Sequence, residues 1–259
     1  MIEYRPATGD DLPAIHQIWW AADPVHEFAD NPWFSHVLRT GRMMAASTES
    51  GLAGFAGVRT VGETTVVSDC FVDPAYQARG VGTGLLSHLV PPESPVMTLA
   101  SEDPKARSLY SRFGMAPKWE CHYIEGDPAG LSDGVAPAEE TGSYPVADSD
   151  LAHLRAGLGC TFLATPSGRA AIAADSVESS IVLEMADSGH SLTSALGWMA
   201  RSGVRLAKLH LSDLHPAFRP LMASGFTVTG VDMLMAAPGA EVPDPTRITF
   251  NGDILRLSY

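Results

Sequence analysis

Two periodicities alternate along this chain, one of two residues and one near 3.6, and the changes between them mark its elements. Residues 3 to 7 read as a first strand. Asp10 or Asp11 then caps a helix whose apolar stripe is Leu12, Ile15, Ile18 and Trp19. A less regular segment follows over about 23 to 40. Arg42 to Ser47, Gly54 to Val61 and Thr64 to Val72 are strand-like runs, the first two joined around Glu49-Ser50-Gly51, which is the layout of a hairpin meander. Val81, Leu85, Leu86 and Leu89 fall at helical spacing. Val96 to Ala100 reads as a strand, Asp103 or Pro104 opens a helix through Tyr110, and Trp119 to Ile124 is a further strand.

From Glu125 to Asp150 the chain is rich in acids and lacks Lys and Arg, and it holds Pro128, Pro137 and Pro145. That is the composition of a linker. Beyond it the order starts again. Pro145 to Leu154 echoes Pro6 to Ile15, an acidic cap before an apolar helix. Thr161 to Gly168 with Ala170 to Ala174 echoes the hairpin around Gly51. Ser179 to Met185 reads as a strand that runs through Ala186-Asp187-Ser188-Gly189 into a helix with Leu192, Leu196 and Met199. Phe218 to Phe226 then echoes Leu109 to Met115, ahead of a strand from Thr227 to Met235. A tail from Pro238 to Pro245 leads to Arg247 to Leu257, read as one or two more strands. The second half is thus an imperfect repeat of the first.

The 259 residues, 45% of them hydrophobic, suffice for two small domains or one large one. No run of eighteen apolar residues occurs and Met1-Ile2-Glu3-Tyr4-Arg5 lacks a signal-peptide layout. Cys70, Cys121 and Cys160 are widely spaced and odd in number, which suggests neither a disulfide framework nor a zinc site. The expectation is a cytoplasmic protein without a metal and without a membrane partner. A net charge of −13 argues against a nucleic-acid partner, whose phosphates would be repelled.

Chemistry concentrates between the strand-like run Thr64 to Val72 and the helix that follows. Asp73 to Leu86 places Gly80, Gly82 and Gly84 where backbone N–H groups at a helix N-terminus can meet an anion. Its spelling is neither G-x-G-x-x-G nor a Walker A loop. It is Gln77-Ala78-Arg79-Gly80-Val81-Gly82, which resembles the acetyl-CoA pyrophosphate loop of the GNAT superfamily of N-acetyltransferases. Ala106-Arg107-Ser108-Leu109-Tyr110-Ser111-Arg112-Phe113-Gly114-Met115 is similar to that superfamily's second signature, a short helix ending at a capping glycine. Two positions depart from the pattern. Asp103 stands where Asn is common, and Met115 where Phe is.

The order of elements up to residue 126 also resembles the GNAT order. The resemblance implies a mixed α/β (α+β) fold of two tandem GNAT-like domains, each a mixed, mostly antiparallel sheet flanked by helices. Residues 1 to 126 would form the acetyl-CoA-binding acetyltransferase domain, 127 to 143 an acidic linker, and 144 to 259 a degenerate GNAT-like domain with a C-terminal strand tail. In the second half Asp187-Ser188-Gly189-His190 stands for the phosphate loop and no tyrosine stands where Tyr110 does. An acid there would repel a pyrophosphate.

The same resemblance implies an acetyltransferase that moves an acetyl group from acetyl-CoA, its cosubstrate, to an amine acceptor by direct attack in a ternary complex. Cys70, Phe71 and Val72 would pair with the pantetheine amides. Ala78, Arg79, Gly80, Val81, Gly82 and Thr83 would hold the pyrophosphate, with Gln77, Gly84 and Asp103 also on the cofactor side. Tyr110 would protonate the leaving thiolate. For the base, Asp69 comes first because its strand carries the thioester. Glu102 and Glu120 are the other carboxylate candidates, and His26 and His122 are candidates because histidine is the side-chain type that changes charge near neutrality. His26, Trp33 and Phe34 fall where the superfamily builds its acceptor groove; aromatic core packing explains the neighbouring Trp19 equally well, whereas Trp33 and Phe34, next to Asn31-Pro32 in an expected loop, are the better acceptor-site candidates. The acceptor is a small-molecule or peptide amine, the assembly a monomer or homodimer. The alternative is a non-catalytic acetyl-CoA-binding sensor.

Overall fold

The computed structural model describes residues 2–22, 32–131, 138–141, 160–165, 168–174, 179–186 and 189–249. It divides into two units. Among the described residues, unit 1 holds the chain up to Pro117 together with Met235–Glu241, and unit 2 holds Lys118–Leu234 with residues 242–249.

Unit 1 runs β1 (Glu3–Pro6), α1 (Leu12–Ala22), α2 (Pro32–Thr40), β2 (Arg42–Thr48), β3 (Gly51–Val61), β4 (Thr64–Val72), α3 (Val81–Leu89), β5 (Val96–Ala100) and α4 (Pro104–Ser111). The strands lie in chain order, antiparallel from β1 to β4 and parallel between β4 and β5. On the other side of β5, the segment Met235–Glu241 joins this unit, with Ala237 N–H donating to Val96 O at 2.8 Å and Glu241 N–H to Thr64 Oγ1 at 2.8 Å. Seven consecutive residues of β3, Ala53 to Arg59, are buried, which requires cover on both faces of the sheet. Gly54 faces Leu85 of α3 while Gly57 faces Val37 of α2, so those helices lie on opposite faces. The entry to α1 is fixed by the Asp11 carboxylate, which accepts from Thr8 N–H (2.8 Å) and from both Arg5 nitrogens (2.8 and 2.7 Å). Its carboxyl is thereby held at about 2, the Arg5 hydrogen bonds being the main cause. Ile15, Ile18 and Trp19 are buried as their spacing predicts.

Unit 2 comprises β6 (Ala116–Gly126), β7 (Glu139–Thr141), β8 (Thr161–Thr165), β9 (Gly168–Ala174), β10 (Ser179–Ala186), α5 (Gly189–Arg201), β11 (Leu206–Ser212), α6 (Phe218–Ala223), β12 (Thr227–Ala236) and β13 (Ile248–Thr249). Its strands lie in the order β7-β8-β9-β10-β11-β6-β12, with β10 and β11 parallel. Leu192, Ala195, Leu196 and Met199 of α5 pack with Leu209, Leu211, Leu221 and Phe226 in one buried cluster. Two elements differ from the sequence reading. The strand β11 was not anticipated, and β7 forms within the acidic stretch by pairing with β8.

The fold is therefore mixed α/β, with mostly antiparallel sheets flanked by helices. The two units also share an unusual detail. In unit 1, β4 pairs with β5 only at Thr65 and Val66, and two residues later Ser68 bulges out of the β3–β4 ladder. In unit 2, β10 pairs with β11 over Ser179–Ile181, and two residues later Leu183 bulges out of the β9–β10 ladder.

Candidate active site

The opening between β4 and β5 begins at the Ser68 bulge. A bulge bends its strand and increases the local twist, and here it coincides with the end of the parallel pairing. Beyond it Asp69 to Val72 continue against β3 alone, and Thr98 Oγ1 donates to Val67 O across the mouth at 2.9 Å. The main chain of Cys70, Phe71 and Val72 thus presents an edge without a strand on it among the described residues.

The turn after β4 is pinned before it reaches the helix. Asp73 accepts from Ala75 N–H at 2.8 Å, and Gln77 Nε2 donates to Val72 O at 3.3 Å. Ala78 and Gly80 then take left-handed backbone angles, φ 60° and 80°, in a turn that leads directly into the N-terminus of α3. Gly80 caps α3, so the N–H groups of Gly80, Val81, Gly82 and Thr83 precede the first helical hydrogen bond. That first bond is Gly84 N–H to Gly80 O, 2.9 Å.

The three glycines have separate physical reasons. Gly80 supplies the left-handed angle, with open space where a Cβ would be. A Cβ on Gly82 would lie 3.1 Å from Leu109, 3.7 Å from Cys70 Sγ and 3.8 Å from Val72, so the start of α3, helix α4 and the end of β4 converge there. A Cβ on Gly84 would lie 2.2 Å from the Tyr4 ring. Gly84 makes room for Tyr4, and its amide closes the helix.

Tyr110 occupies the last turn of α4 and is buried. Asp103 caps that helix, its carboxylate accepting from Lys105 N–H at 2.9 Å, and Gly114 ends it at φ 78°, letting Met115 N–H turn back to Tyr110 O. Asp and Asn cap helices comparably, which accounts for the Asp at this position.

Asp69 and Trp33 meet. Trp33 Nε1 donates to Asp69 Oδ2 at 3.0 Å, as does Ser68 Oγ at 2.7 Å, and the Arg59 guanidinium lies 5.9 Å from the Trp33 ring centre. Cross-strand register puts Asp69 opposite Gly57 and therefore on the α2 face, whereas Cys70 and Val72 approach Gly82 on the α3 face. Phe34 is enclosed by Trp19, His16 and Phe55, and Phe71 stacks on Phe55 at 5.6 Å. Trp33 and Phe34 sit in helix α2, each 1% exposed. His26 lies outside the described residues, as do Asp187 and Ser188 of the second unit. His122 and Glu120 belong to unit 2, where their side chains approach to 3.7 Å. Burial, with the Asp69 charge adding to it, pushes the Cys70 thiol up to about 12.

Sequence reasoning did not find Ser68, Arg59 or Tyr76. Tyr76 Oη is hydrogen-bonded to Ser50 Oγ at 2.9 Å, and its phenol is lowered by that bond first and by Thr48 second. With Ile2, Thr48, Glu49 and Arg79 these residues line an open depression of about 360 Å³ beside the loop. A run of polar residues at a hairpin tip carries no signal that would have singled them out.

An opened parallel pair, an N–H-rich turn and a tyrosine helix together define a fold class that the comparisons then name. Residues 39–114 match the family described as acetyltransferase (GNAT) domain. A candidate acetyltransferase from Pyrococcus horikoshii superposes with a TM-score of 0.75 at 15% identity, covering 98% of this chain and 92% of that one. A tandem GNAT protein from the clavulanic acid biosynthesis pathway gives 0.63 at 15% identity over 92% and 98%. A GCN5-related N-acetyltransferase from Sphaerobacter thermophilus gives 0.58 at 15% identity over 93% and 98%. These likenesses establish a GNAT fold over almost the whole chain. A search of curated proteins finds no match in sequence.

Proposed function

We propose that the protein is an acetyltransferase that takes its acetyl group from acetyl-CoA and passes it to an amine, using one site in unit 1. The observation that carries this reading is the convergence at Gly82 of the open β4 edge, the N-terminus of α3 and helix α4. The backbone of Cys70 to Val72 would hold the pantetheine arm as an added strand would be held. The N–H groups from Ala78 to Thr83 would hold the pyrophosphate, favoured by the dipole of α3. Acetyl-CoA would supply an activated thioester carbonyl, whose oxygen gains negative charge under attack and needs donors already in place. Tyr110 Oη would return a proton to the sulfur that leaves.

The Cys70 thiol, held protonated at pH 7, is a poor nucleophile. That favours direct attack by the amine over an acetyl-cysteine step. Asp69 would draw the proton from the incoming ammonium from its side of the sheet, through water. Unit 2 would serve as a degenerate partner domain, in a tandem arrangement like that of the clavulanic acid pathway protein. Thiol release from acetyl-CoA across a panel of amines tests the reading. Release that depends on an amine supports it. Acetyl-CoA binding with no release for any amine would favour a sensor.

A further inference from the structure

The bulge in each unit provides a register between them. Ser68 corresponds to Leu183, so Asp69 corresponds to Glu184, Cys70 to Met185 and Phe71 to Ala186. In unit 1 the main chain at Cys70 and Phe71 is the open edge. In unit 2 the equivalent edge is covered. Strand β13 pairs antiparallel with β10 there, Thr249 opposite Met185 and Ile248 opposite Ala186, and it also neighbours β11. The segment therefore stands in the opening between the two parallel strands.

We infer that β13 is a built-in occupant of the second slot, seated where unit 1 would receive the pantetheine arm. It rests on the reading of the β4 edge as that slot. The physical reason is the same in both units. A bulge that ends a parallel ladder leaves backbone N–H and C=O groups with no partner on one side, and such groups are costly to bury unpaired. Unit 1 would satisfy them with its ligand, unit 2 with the chain itself. Occupation by β13 makes unit 2 a closed copy, and one acyl-CoA per chain follows from topology and not only from the altered loop.

A cysteine pair in the full chain reads this directly. Antiparallel Cα partners lie within the span of a disulfide, so Met185→Cys with Thr249→Cys should lose both introduced thiols on mild oxidation. The linked peptide is identified by mass spectrometry, which separates it from the three native cysteines. Ser180→Cys with Thr249→Cys, off that register, should keep its thiols. Adding CoA should leave the first crosslink unchanged. Failure of the in-register pair to link, equal linking of both pairs, or suppression of the link by CoA would each overturn the inference. The crosslink requires no cofactor, so it stands or falls independently of acetyl-CoA binding by unit 1. Binding of one CoA without the crosslink would sink this inference alone.

Discussion

Replacing Gly84 by alanine distinguishes a glycine kept for packing from one kept for a ligand. The new Cβ would lie 2.2 Å from Tyr4 Cζ and Oη, a distance that forces the ring away. Tyr4 is stacked on His88 with centroids 5.2 Å apart, and His88 Nδ1 is itself 2.8 Å from Gly84 O. Overpacking of this kind costs about 1–3 kcal/mol and the lost ring pair about 0.5–1.5 kcal/mol. Against this, Gly→Ala within a helix contributes roughly 1 kcal/mol. The net expectation is a loss of about 0.5–3.5 kcal/mol for Gly84→Ala. In a Tyr4→Ala background the clash is gone, and the same replacement should stabilise by about 0.5–1 kcal/mol. Urea unfolding of the four chains, with equal m-values, measures both steps. Because the Gly84 amide donates to Gly80 O, acetyl-CoA affinity should match between Tyr4→Ala and the double variant. An alanine effect of the same sign in both backgrounds refutes the packing argument. A double variant that alone loses acetyl-CoA shows that Gly84 faces the ligand.

Tyr110→Phe should lower turnover by about 10²-fold while leaving cofactor affinity near wild type; unaltered turnover removes the tyrosine from the chemistry. Trp33→Phe deletes the indole donor to the buried Asp69 carboxylate, with an expected cost of about 1–3 kcal/mol in unfolding free energy, and an unchanged midpoint contradicts it. His215 is buried and its pKa is lowered by that burial from 6.5 to about 4. The unfolded chain therefore binds its proton first, and stability should fall as pH drops from about 6.5 to 4, an effect absent in His215→Gln. Asp11, lowered from 3.8 to about 2, contributes stability that is present above pH 3.8 and lost as pH falls through 2. Asp11→Asn should flatten that limb of the unfolding profile, by about 1 kcal/mol after screening at half-exposed Arg5.

Legibility in the sequence followed the range of the interaction. Strands β2 to β5 and helices α1, α3 and α4 announce themselves through local period, caps and turn residues, and the structure keeps them within a few residues of the expected bounds. Asp103 and Gly114 act as the helix cap and stop that their residue types suggest. What depends on partners far along the chain stayed hidden. The Ser68 bulge is set by counting against β3, and no residue type marks it. Gly84 reads as part of a ligand loop, and no local signal reveals that it also makes room for Tyr4, eighty positions earlier. Trp33 and Phe34 read as loop aromatics because Asn31-Pro32 precedes them, whereas Pro at the first helical position is an ordinary helix start, and α2 begins there. The Trp33–Asp69 bond joins two residues that local pattern could only nominate separately.

Hydrogen exchange with and without acetyl-CoA tests the central claim most directly, because the slot is made of main-chain amides. The account predicts new protection confined to Cys70–Val72 and Ala78–Thr83 of unit 1, with Glu184–Ala186 of unit 2 unchanged. Protection appearing at Glu184–Ala186, or absent from both unit 1 segments while acetyl-CoA is bound, would contradict it.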